Sequence, residues 1–220
     1  MSLLKLKDFI KSPILLGLFS FALIIISNSM LAQHDRKSQD LNFSPPPEIE
    51  HLHFGYREVL ADAFWLRVIQ DNDYCEAHEA EKVCKGNGWV SKVVYAISLL
   101  SPHYRLPVYV GALSLSIIVK DQPGASKIFD RAVELFPEDW PILYAAAYQA
   151  MIEEKNKEKA GHLLERAGKY GAPDWVFALA TKMYTEAGQH ELGERLYESL
   201  KASGISEEVL IQVRKRLKNE

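Results

Sequence analysis

Three patterns of apolar and polar positions divide the chain. Residues 14–26, ILLGLFSFALIII, are apolar almost throughout, with only Gly17 and Ser20 interrupting. Residues 33–50, QHDRKSQDLNFSPPPEIE, are polar, mixed in charge, and show no apolar period. From Phe54 onward apolar residues return every three or four positions, the spacing of helices with one buried face. This predicts one apolar helix over 13–32, a linker over 33–50 stiffened by Pro45-Pro46-Pro47, and an all-helical domain over 51–220.

Within the domain a longer period is superimposed. Ala125, Phe129, Ala132 and Pro137 are followed 35 residues later by Ala160, Leu164 and Ala167, with Pro173 one residue late. Asp139-Trp140 recurs 35 residues on as Asp174-Trp175, and Pro102 precedes Pro137 by the same step. Gly193, Tyr197 and Leu200 repeat the pattern 33 residues beyond Ala160, Leu164 and Ala167. Small, large and small residues at this spacing share one helical face, and small ones admit a neighbouring helix closely. A proline after the last position stops the helix, and Asp before each Trp is a good N-cap for the next. The unit is therefore helix, turn, helix, stop.

These residues resemble the tetratricopeptide repeat (TPR) family, which carries Ala, Phe, Ala and Pro on its second helix and an aromatic, Leu, a small residue and Tyr on its first. Residues 106–137 match best. Tyr109 stands in the aromatic position, while Leu113 replaces the usual Gly. Residues 140–173 carry Leu143, Ala146 and Ala147, then Ala160, Leu164 and Ala167. Residues 174–204 carry Phe177, Ala180 and Tyr184, then Gly193 and Tyr197. A degenerate unit precedes them, with helices over 54–71 and 89–101 and a long loop between. A capping helix follows from Ser206 to Lys218. The resemblance covers about 150 residues and implies a superhelix of three to four helix pairs, each pair burying its apolar face on its neighbours. It also implies a concave groove for a protein partner.

The N-terminus changes the expected location. Lys5, Lys7 and Lys11 precede the apolar run, the layout of a secretory signal or an anchor. A helix over 13–32 has 20 residues, about 30 Å, the thickness of a bilayer core. The basic residues then put 1–12 in the cytoplasm. The expectation is a single-pass protein of a bacterial inner membrane with its repeat domain in the periplasm. Secretion to the periplasm after cleavage of a signal at Ser29 is the alternative.

Composition narrows the chemistry. A net charge of −3, from 26 basic and 29 acidic residues, offers no excess to neutralise a phosphate backbone, so no nucleic-acid partner is expected. Cys75 and Cys84 lie in the long loop. Outside the cytoplasm such a pair reads as a disulfide, worth about 2.7 kcal/mol by loop closure. Two free thiols are the alternative, as is a zinc site with His78, which lacks a fourth ligand. His78-Glu79 opens a zinc-protease spacing that Lys82 breaks. Glu58 and Asp62 are a like-charge pair on a solvated helix face. No phosphate-binding loop, dinucleotide pattern or nucleophile elbow occurs. No cofactor, metal or catalytic residue is expected, and a small-molecule ligand is not anticipated.

Trp65, Trp140 and Trp175 are read as core. The first helices of the repeats would line the groove, through Ser114, Ile117 and Ile118, then Tyr144, Tyr148, Met151 and Lys182. Tyr and Met suit a protein partner because they bury much area adaptably. The expected function is a non-catalytic, membrane-tethered scaffold. An accessory of envelope polysaccharide secretion that stacks its aromatic faces on glycan is the alternative.

Overall fold

The computed structural model describes residues 13–38, 45–70 and 89–218. Among them are ten α-helices and no strand. Two compact units are present, 1–43 and 44–220.

The first unit contains α1, Pro13–Ser38. The expected membrane span is overturned: no described helix is long and apolar enough to cross a membrane. The apolar run Ile14–Ile26 is 13 residues, only about 20 Å at 1.5 Å per residue, against a core of about 30 Å. The rest of α1 is Ser27, Asn28 and Ser29 and then the charged Asp35, Arg36 and Lys37. The inner-membrane placement with a periplasmic domain is overturned with it, and no described feature supports the cleaved-signal alternative. Residues 33–38, read as linker, continue the helix.

The second unit opens with a 3-10 turn, Pro47–Glu50, and then α2, Arg57–Gln70. Next come α3, Trp89–Leu100, and α4, Arg105–Ser114. They are followed by α5, Gln122–Leu135, α6, Trp140–Ile152, and α7, Lys157–Lys169. The unit closes with α8, Trp175–Glu186, α9, His190–Ala202, and α10, Glu207–Leu217. Each helix packs on the next, α3 also on α5, and at the C-terminal end α10 packs more on α8 than on α9.

The periodic small residues build the seams. Ala125, Ala132, Ala160 and Ala167 are fully buried, with Phe129 and Leu164 between them. In α9 the buried positions are Gly193, Leu196 and Leu200, while Tyr197 is half-exposed. The closest approach is between α7 and α8. A Cβ on Gly161 would sit 2.7 Å from the Tyr184 ring, and one on Gly168 would sit 2.5 Å from Phe177. Both glycines are seven residues apart, and so are both rings, so the helices run antiparallel with a ring seated in each gap. Between α3 and α4 the close approach is at Gly111, whose Cβ would lie 2.8 Å from Val94. Leu113, expected at the small position, is half-buried instead.

The caps are partly as expected. Asp139 caps α6, its carboxylate accepting from the Ile142 amide at 3.3 Å. Asp174 does not cap α8 and is itself helical, because the Val176 amide already bonds the Pro173 carbonyl. The proline one residue late starts the turn early. Asp121 and Asn156 cap α5 and α7 through the amides of Gly124 and Lys159, both at 3.0 Å. Ser206 holds the N-cap position of α10 without a side-chain bond.

Candidate protein-binding face

The candidate face lies on α6. Trp140, Tyr144, Tyr148 and Ile152 follow one another at four-residue steps, so they form a single stripe. Deep burial is not their state: Trp140 is 37 % exposed and Tyr148 56 %. The reading of Trp140 and Trp175 as core is thereby corrected, since Trp175 is 50 % exposed. Trp65, in contrast, is buried on α2.

Neighbouring helices carry the same positions. One 35-residue step back from Trp140, Tyr144 and Tyr148 stand Arg105, Tyr109 and Leu113; one step forward stand Trp175 and Leu179. Side-chain contacts link the rows across helices. Trp175 meets Tyr144 edge to face, ring centroids 5.8 Å apart at 87°. Such a pair contributes about 0.5–1.5 kcal/mol beyond its buried area. In the first row Arg105 replaces the tryptophan. Its guanidinium lies 5.1 Å over the Tyr109 ring, and its Nε and Nη2 both donate to the Asp139 carboxylate, Nη2 to Oδ1 at 2.9 Å. Hydrogen bonds from Arg105, against a smaller opposing effect of burial, hold the Asp139 carboxyl below the ordinary carboxylate range. Asp139 therefore serves as helix cap and as inter-helix tie at once.

A second tie fixes the far end of the stripe. Leu115–Val119 extend α4 as a π-helical turn, ended by Lys120 in the left-handed region at φ 58°. Ser116 donates to the buried Gln149 side chain at 2.7 Å, and the Gln149 amide donates to Gln122 at 3.0 Å. A buried amide left unpaired would cost about 1–3 kcal/mol. Gln149 thus locks α6 to the end of α4 and the start of α5.

Of the residues read from the sequence as groove-lining, Tyr144, Tyr148 and Met151 come together in one recess with Leu164 and Leu179. Lys182 is not in it; its ammonium pairs with Glu186 at 3.6 Å. Ile117 and Ile118 are exposed, and Ser114 is buried. The recess holds about 10 Å³, room for one water rather than the 300 Å³ or so that a small ligand needs. This face offers apolar area, not a pocket. The missed members, Trp140, Trp175 and Ile152, carried a readable signal in their spacing from the two tyrosines.

Behind the stripe a polar cluster joins α7 to α8. The buried Tyr184 hydroxyl donates to Glu165 at 2.8 Å and lies 3.0 Å from His162 Nδ1. Burial, then the Glu165 carboxylate, pushes the Tyr184 phenol far above its ordinary value. Burial alone would raise Glu165, but hydrogen bonds from Lys169 and Tyr184 outweigh it and leave that carboxyl low. A phenol held protonated beside a carboxylate held ionised makes a clasp between α7 and α8.

Cys75 and Cys84, with the disulfide and zinc readings attached to them, lie outside the described residues. Among the described residues no group of three His, Cys, Asp or Glu side chains is placed to hold a metal ion. Comparison with protein-family models, with curated proteins and with solved structures returns no significant match to this chain.

Proposed function

We propose that residues 51–220 form a TPR-like superhelix acting as a non-catalytic scaffold that binds a segment of a partner protein along α4, α6 and α8. One observation carries this reading. Large aromatic side chains recur at 35-residue steps on alternate helices (Tyr109 and Tyr144, Trp140 and Trp175), remain partly exposed, and meet across helices where Trp175 packs on Tyr144. Rigid, part-exposed Trp and Tyr lose little entropy on binding and bury much area, as interface anchors do. A recess too small for a ligand favours a partner laid across the face over a molecule dropped into it.

The test is capture by the full chain. Immobilised protein is exposed to an extract of its own cells, beside a Tyr148→Ala, Trp175→Ala variant with unchanged circular dichroism. A protein retained by the native chain and lost by the variant supports the reading. Equal retention by both moves the interface away from α6, and retention of nothing removes the scaffold reading. The same exposed rings could stack on sugar. Binding of glycan, lost in the same variant with no protein captured, would replace the protein partner by a carbohydrate one.

A further inference from the structure

A second surface, at the α9–α10 end, has a different character. An open cleft of about 620 Å³ lies between these two helices. The buried face of α10 is Val209 and Val213. The cleft takes another face, where Glu207, Leu210, Ile211, Arg214, Lys215 and Lys218 follow at helical spacing. Tyr197 and Lys201, one turn apart on α9, form the other wall.

Charge distinguishes this cleft from the rest of the molecule. It holds four basic side chains and one acidic in a chain whose net charge is −3. Basic residues in the last turn of α10 complement the helix dipole. Lys201 ends α9 in the same way, so the dipole explains each cation on its own helix but not the convergence of two helix ends on one cleft. Among the described ion pairs none engages Lys201, Arg214, Lys215 or Lys218. The Arg214 guanidinium carbon lies over the Tyr197 ring, 4.9 Å from its centroid. Stacking of this kind orients a guanidinium while leaving its edge donors free for a carboxylate. The cleft is also apolar in part: Ile211 is 63 % exposed beside the half-buried Leu210.

We propose that the α9–α10 cleft docks an acidic amphipathic helix of a partner protein. Its carboxylates would meet Arg214, Lys215, Lys218 and Lys201, and an aliphatic side chain would cover Ile211. A bare polyanion satisfies the cations but leaves Ile211 uncovered, so the combination of charge and apolar area favours the peptide. This docking site is independent of the aromatic face on α6.

The test uses the full chain and a fluorescent helix-forming peptide, with Leu at every third or fourth position and Glu between. A matched peptide has Gln for Glu. Expected is saturable binding of the Glu peptide that weakens with added salt, and no binding of the Gln peptide. Arg214→Glu with Lys215→Glu should weaken binding at least about tenfold. Ile211→Ser should weaken it too, and Tyr148→Ala should leave it unchanged. All these side chains are on the surface, and circular dichroism checks each fold. Equal binding of the Gln peptide, or indifference to the double charge reversal, would overturn the proposal. So would polyphosphate or transfer RNA competing as tightly while Ile211→Ser has no effect, since the cleft would then be a general polyanion site. Absence of peptide binding at low salt overturns it outright.

Discussion

The α7–α8 seam and the α6 stripe use aromatic rings in opposite ways. In the seam, Tyr184 and Phe177 are buried against Gly161 and Gly168, with no room for one added carbon. At the stripe, Trp175 of α8 packs edge to face on Tyr144 and still keeps half its surface, as Tyr148 does. The same residue types hold the fold in one place and offer area in the other. What separates them is the partner position: glycine opposite a ring admits it, while a ring opposite a ring leaves both partly outside. Sites of stability and sites of binding should therefore respond to substitution in different measurements.

The largest expected effect is in the seam. Gly168→Leu forces the Phe177 ring out of its seat. Overpacking of this kind costs about 3 kcal/mol, or roughly 6–12 °C of melting temperature in a chain of this size. Calorimetry checks it; an unchanged midpoint would mean the seam is loose. Next is the clasp. Tyr184→Phe keeps the ring but removes the phenol donor from Glu165 Oε2, leaving only Lys169 on the other oxygen, at about 1–2 kcal/mol. It should also bring the Glu165 carboxyl back up, since one of the bonds holding it low is gone.

Acid gives a third, intermediate effect. Asp139 is held below its ordinary value of 3.8 and Glu165 below 4.5 in the folded chain. A carboxyl depressed by folding contributes stability that is complete above its unfolded value and is lost as pH falls through its folded one. Melting temperature should thus drop below pH 4.5, by way of Glu165, and further below pH 3.8, by way of Asp139. Asp139→Asn, which keeps a cap but loses the charge, should flatten only the lower part of that decline. The smallest stability effect belongs to the stripe. Tyr148→Ala should move the folding free energy by no more than about 0.5 kcal/mol, while abolishing partner capture. A large loss of stability there would erase the contrast between the two regions.

The seams were legible in the sequence because periodicity encodes burial directly: Ala125, Phe129 and Ala132 had to share a face. Register was harder. Gly111 and Ala112 are adjacent small residues, and only the position of Val94 decides which one a neighbour approaches. Asp139 and Asp174 precede identical tryptophans, yet the shifted proline makes one a cap and the other a helical residue. A tryptophan that opens a helix reads as packed on the preceding turn, a local reading that misses the four-residue spacing from Trp140 through Tyr144 to the exposed Tyr148. On α1, the polar Ser27–Ser29 were counted as bilayer-compatible, which lengthened the apolar run beyond what its side chains support. The basic cleft escaped because its walls come from two helices whose pairing the sequence does not display.

The chief contacts of α2 to α10 are with the next helix or the next but one. Free energy in such a chain of neighbours is held locally, and no single centre shares it out. Damage at the α9–α10 end has no direct mechanical route to α2 and α3. Unfolding that starts at either end should stop short of the α7–α8 clasp, which hydrogen exchange would show as the slowest segment. Loss of an end helix should therefore leave the central fold standing.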